Sequence, residues 1–101
     1  MDMMGKTVFI TGSTDGVGRY VATQLAGQGA KVLIHGRDAA RADAVIADIK
    51  RSGGAAPAFY QADLSSLAET RKLAERVLAD NARLDVFVSN AGIGSQNEGP
   101  Q

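Results

Sequence analysis

The sequence predicts an α/β fold built on one parallel sheet. Three observations carry that expectation. Short apolar runs alternate with amphipathic helical patterns along the chain. The runs are apolar at successive positions, which suits strands covered on both faces. A glycine-rich turn joins the first run directly to the first helical pattern. With right-handed crossovers, this alternation gives the order βαβαβαβ and strands arranged 3-2-1-4.

The first strand is read at Thr7–Thr11 and the second at Lys31–His35. Both are rich in β-branched residues. The third, Pro57–Tyr60, opens on a proline, which cannot donate a ladder hydrogen bond and so belongs at the start of an edge strand. The fourth is Leu84–Val88. Between them lie three helical stripes. Val17, Val21, Ala22, Leu25 and Ala26 form the first, with Gly29 just past its end as a C′ glycine. Ala42, Val45, Ile46 and Ile49 form the second, with Asp38 as N-cap and Ser52-Gly53-Gly54 as its stop. Leu67, Ala74, Val77 and Leu78 form the third, introduced by Ser66-Leu67-Ala68-Glu69 with the spacing of a capping box. After Val88 the pattern gives way to Ser89-Asn90-Ala91-Gly92 and a polar tail over 93–101.

The 101 residues suffice for one small domain. Eleven basic residues balance eleven acidic ones, so no basic surface draws the chain to nucleic acid or to a membrane. Without cysteines there are no disulfides or thiolate metal sites, and one histidine cannot make a clustered zinc site. No apolar run approaches a membrane span and none has the form of a secretory signal, so a cytoplasmic location is expected. His35 is read as a solvated strand-end residue.

The chemistry concentrates in Thr11-Gly12-Ser13-Thr14-Asp15-Gly16-Val17-Gly18, between the first strand and the first helix. A pyrophosphate needs a tight turn, a backbone it can approach, and helix N–H groups aimed at its oxygens. Glycines supply the first two, and the helix start at Val17-Gly18 supplies the third. The alternative is a tight turn that merely lets helix and strand pack. The spacing Thr-Gly-x-x-x-Gly-x-Gly resembles that of the short-chain dehydrogenase/reductase family. Asp63-Leu64 follows the third strand, where that family has an aspartate near the adenine ring. Asn90-Ala91-Gly92 follows the fourth, matching the family's Asn-Ala-Gly motif near the adenosine ribose. The resemblance runs from about Lys6 to Gly92, and Ser89 departs from it mildly. It implies a Rossmann-like fold, a nicotinamide dinucleotide as partner, and hydride transfer between a carbonyl and an alcohol. It also implies a homo-oligomer for complete members. Asp63 could instead serve as a helix-initiating acid, and Asn90 as a loop residue satisfying backbone groups.

The cofactor choice turns on the end of the second strand. NAD sites place a carboxylate there for the ribose 2′-OH. By register with the family, Gly36 holds that position and Arg37 follows, able to grip a 2′-phosphate with its fork. NADP is therefore favoured, with NAD as the alternative. Asp15, standing where many NADP-preferring members carry a base, and Asp38, close enough to compete for the ribose, weigh against it. Arg37 could also be an exposed side chain at a helix start.

The family's chemistry resembles acid catalysis by a tyrosine with a lysine four residues later. Tyr20 is followed at that distance by Gln24 and Tyr60 by Leu64, so no catalytic residue is assigned. The expectation is the front part of a longer oxidoreductase, a single incomplete nucleotide-binding domain that is inactive alone and prone to self-associate. The alternative is a stand-alone dinucleotide-binding module. A phosphoacceptor signalling domain is disfavoured, because Thr11 and Gly12 stand where it would need acidic residues. The loop spacing also differs from that of nucleotide-sugar epimerases.

Overall fold

The computed structural model describes residues 3–14 and 16–90. Four strands and three helices alternate: β1 (Thr7–Ile10), α1 (Gly16–Gly27), β2 (Lys31–Gly36), α2 (Ala39–Arg51), β3 (Ala58–Gln61), α3 (Leu67–Asp80) and β4 (Val86–Val88). All pairings are parallel and the order is β3-β2-β1-β4, as the sequence predicts. The chain has a Rossmann-like α/β fold. The proline-led third strand is an edge, where Pro57 withholds no ladder bond.

The two faces are covered unequally. On one, α1 and α2 pack Ala22, Ala26, Ala42, Val45 and Ile49 onto Val8, Ile10, Val32 and Ile34. On the other, α3 is the one helix among the described residues, and it sets Leu73 and Val77 against Phe9, Leu33 and Tyr60. Successive β1 and β2 residues thus feed opposite cores, which is why those strands read as continuous apolar runs. Phe9 stands edge-on to Tyr60 and stacks on Phe87.

Helix ends follow the sequence signals closely. Gly29, at φ +96°, ends α1 in a Schellman pattern: its N–H reaches the Ala26 carbonyl and the Ala30 N–H reaches Leu25. Asp38 caps α2 by accepting from the Ala40 and Arg41 N–H groups. Ser66 caps α3 by accepting from the Glu69 N–H. Glu69, however, does not return its carboxylate to Ser66 as a capping box would. It accepts from the Asp63 N–H at 2.8 Å, so the return bond ties the β3–α3 loop instead.

Four stripe assignments need correction. Val17 is 70% exposed, because α1 turns Gly18 toward the sheet at its first turn. In α3 the buried residues are Leu73 and Val77, while Leu67, Ala74 and Leu78 are exposed. Several phases of α3 satisfy a helical stripe, and only packing selects Leu73–Val77. The polar tail over 93–101 lies outside the described residues.

Candidate functional site

The C-terminal ends of β1, β2 and β4 meet at one loop, Thr11–Gly16, which leads into α1. Each strand grips it. The Thr11 N–H donates to the Val88 carbonyl at 3.0 Å, extending the β1–β4 ladder by a residue. The Asn90 N–H donates to Thr11 Oγ1, and Asn90 Nδ2 donates to the Gly12 carbonyl, both at 3.0 Å. Ser13 binds β2 as a strand residue would: its N–H donates to the His35 carbonyl at 2.8 Å, and its Oγ accepts from the His35 N–H at 2.8 Å.

His35 is the residue the sequence reading placed wrongly. It is buried rather than solvated. Its Nδ1 accepts from the Gly12 N–H and its Nε2 meets the Ala62 carbonyl, each at 2.9 Å. An N–H can only donate and a carbonyl can only accept. The partners therefore fix the neutral tautomer with the proton on Nε2. Burial pushes the imidazole pKa down, against the Ala62 bond that raises it. The loop folds over the end of β2 and takes the ring out of water. A polar residue inside an otherwise apolar strand was the only sequence signal.

The glycines divide the work. Gly12 and Gly16 both sit at φ +61°, where side chains are strained. A Cβ at Gly18 would overlap the Gly12 carbonyl oxygen and lie 2.6 Å from Asn90 Nδ2. Gly18 thus permits helix, loop and Asn90 to close up. A Cβ at Gly16, by contrast, would meet none of the described residues within 4 Å. The backbone there borders open space beside the start of α1, where first-turn N–H groups lack intrahelical acceptors. Gly16 faces space that the described residues leave clear, and Gly18 makes room within the fold.

Arg37 and Asp63 lie beside this loop, just beyond the ends of β2 and β3. Arg37 is exposed, and its backbone carbonyl accepts from Gln61 Nε2 at 3.0 Å. Asp63 Oδ1 accepts from the Ser65 hydroxyl at 2.7 Å and the Ser65 N–H at 3.0 Å. Those bonds, with the Arg37 charge behind them, hold its carboxyl below the usual carboxylate range. Leu64 is partly buried against the core under α3. Asp38 Oδ1 caps α2, and its Oδ2 lies 3.7 Å from Arg41 Nε.

The structure thus gathers Gly12, Ser13, Thr14, Gly16, Val17, Gly18 and Asn90 around one loop, with Arg37, Asp63 and Leu64 along the adjoining strand ends. Asp15, Ala91 and Gly92 lie outside the described residues. Both tyrosines stand apart from this loop's bonds. Tyr20 is exposed, while Tyr60 is buried, donating to Asp80 at 3.0 Å and accepting from Asn81. Burial pushes the Tyr60 phenol pKa up. Among the described residues, no helix is long and apolar enough to cross a membrane.

Comparison with known proteins agrees with this geometry. A family profile described as short chain dehydrogenase matches residues 6–101. The short chain dehydrogenase/reductase nsrJ of Aspergillus novofumigatus is 42% identical over 90% of this chain and 34% of its own length. Retinol dehydrogenase 14 of Mus musculus is 37% identical over 90% of this chain and 30% of its own. The chain spans about a quarter to a third of the length of the curated relatives it matches. Among solved structures, the Pseudomonas aeruginosa RhlG/NADP active-site complex superposes with a TM-score of 0.79 at 34% identity, covering 89% of this chain and 36% of that one.

Proposed function

The chain belongs to the short chain dehydrogenase family, and from that premise we propose that it is the dinucleotide-binding portion of an oxidoreductase that interconverts a carbonyl and an alcohol, with NADP(H) preferred over NAD(H). The observation that carries the reading is the space at Gly16. A positive-φ glycine borders a volume where, among the described residues, no atom comes within reach of a Cβ, beside a helix start and on a loop fixed by three strands. A loop held this firmly presents its donors without reordering when an anion arrives.

Gly12, Gly16 and Gly18 would let the pyrophosphate approach the backbone, with Ser13, Thr14, Asp15 and Val17 completing the loop. Asp63 and Leu64 would lie along the adenine ring, and Asn90, Ala91 and Gly92 along the adenosine ribose. Arg37 would take the 2′-phosphate. The engagement of Asp38 as a helix cap supports that role, since it occupies one oxygen of the carboxylate that would compete for the ribose. When bound, the nicotinamide supplies or accepts a hydride. The residues of this chain bind and orient, and none is assigned to proton transfer.

Competition by adenosine 2′,5′-bisphosphate tests the assignment. It carries the 2′-phosphate and the adenine without the nicotinamide. It should displace NADP from the chain more strongly than adenosine 5′-monophosphate does. Equal displacement by the two nucleotides would remove the 2′-phosphate preference.

A further inference from the structure

Gly36 ends β2, one residue before Arg37. A Cβ built there would lie 2.6 Å from both Thr14 Cγ2 and Thr14 Oγ1, and 3.1 Å from Thr14 Cβ. The first two contacts are closer than real Cβ atoms come. Rotating Thr14 about χ1 could remove one of them. It could not remove both, because a β-branched side chain carries two heavy atoms on Cβ. The Cβ–Cβ contact does not depend on χ1 at all. Relief would need the backbone of residue 14 to move, and Ser13 opposes that. Its N–H and Oγ are both tied to the backbone of His35, the residue preceding Gly36. The Gly12 N–H is tied to the His35 ring. Thr14 is itself buried. The loop therefore holds the Thr14 side chain over Gly36 as a fixed lid.

We infer that Thr14 is a cofactor-specificity residue that acts by occupying the space a carboxylate at position 36 would need. The inference rests on the NADP reading above and adds a cause to it. The missing acid at position 36 is enforced by a side chain on the glycine loop. No single substitution at Gly36 can then convert the subsite to NAD use. Conversion requires Thr14 to be cut back first.

The test is a double-mutant cycle read by thermal melting and by calorimetric titration of NAD and NADP. Gly36→Ala adds only the Cβ and should lower the melting midpoint by roughly 4–8 °C or more. Thr14→Ala/Gly36→Ala should recover most of that loss. Gly36→Asp alone should bind neither dinucleotide well. Thr14→Ala/Gly36→Asp should bind NAD at least about tenfold more tightly than Gly36→Asp does, the result of a carboxylate gaining the ribose hydroxyl. If the Thr14→Ala change fails to rescue the Gly36→Ala melt, the steric coupling is wrong. If Gly36→Asp alone melts like the parent and binds NAD as well as the double variant, Thr14 has no role in specificity. A parent chain that prefers NAD would instead defeat the reading of Arg37, and the melting cycle would still report on Thr14 and Gly36 independently.

Discussion

His35 Nδ1 accepts a hydrogen bond from the Gly12 N–H at 2.9 Å, so a buried imidazole at the end of β2 holds the first glycine of the loop after β1. The same ring reaches the Ala62 carbonyl beyond β3. One side chain thus ties the loop to two strands. Replacing it by alanine leaves the part-buried Gly12 N–H and the buried Ala62 carbonyl unpaired, each at a cost of up to roughly 1–3 kcal/mol. His35→Ala should destabilise the chain by that sum in urea unfolding. It should also weaken dinucleotide binding, because the loop loses its anchor.

The same bond sets a pH dependence. Protonated His35 would aim a second N–H at the Gly12 donor. Its folded pKa lies below the unfolded value of 6.5. Below 6.5 the unfolded chain therefore binds the extra proton first. Stability is complete above that pH and falls as pH drops toward the folded pKa, by at most about 1.4 kcal/mol per pH unit. Urea unfolding between pH 7.5 and 5 should show the slope, and His35→Ala should flatten it. Asp63 and Asp85 have lowered carboxyl pKa values and titrate in a more acidic window. An unchanged slope in the variant would remove His35 as the cause.

Arg37 should account for cofactor choice. A charge-assisted contact with a 2′-phosphate contributes about 1.5–3 kcal/mol, a tenfold or larger gap between NADP and NAD. Arg37→Ala should close most of that gap by weakening NADP alone. Calorimetric titration of both cofactors onto both proteins checks this. A variant that loses NAD and NADP affinity equally would assign Arg37 to general electrostatics instead.

The face under α3 should make the 101-residue chain self-associate. Phe87 is 57% exposed and Leu78 is 67% exposed, and together with Leu64, Leu73, Val77 and Leu84 they line an apolar groove of about 300 Å³. Val86, on β4 at the edge of the sheet among the described strands, is also exposed. The chain should bind a hydrophobic dye and sediment as more than a monomer. Phe87→Glu should reduce both signals. A dye-silent monomer would contradict this.

Much of this was legible in the sequence. Continuous apolar runs gave the strands, because β1 and β2 really are buried on both faces. Asp38, Ser66 and Gly29 announced helix ends through bonds that depend only on neighbouring residues. The glycine loop was legible because its spacing answers a local backbone demand, borne out in the positive φ of Gly12 and Gly16. What stayed hidden depends on residues distant in sequence. His35 and Gly12 are 23 positions apart, and nothing local tells a buried ring from a solvated one. The Glu69 bond to Asp63 escaped a motif that expected Ser66. Leu73 escaped because the tertiary contact, not the period, selects the α3 face. The Thr14–Gly36 contact joins two positions that each look unremarkable alone.

The central claim is that the loop from Gly12 to Gly18 receives a dinucleotide, and Gly16→Val tests it most directly. None of the described residues lies where a Cβ at Gly16 would go. The substitution therefore disturbs packing little. It carries a backbone cost of roughly 1–2 kcal/mol, or more for a β-branched residue, for forcing φ +61°. Calorimetric titration of NADP should show measurable binding to the parent chain and none to Gly16→Val, with circular dichroism showing that the variant remains folded. Equal affinity of the two folded proteins for NADP would contradict the assignment of this loop.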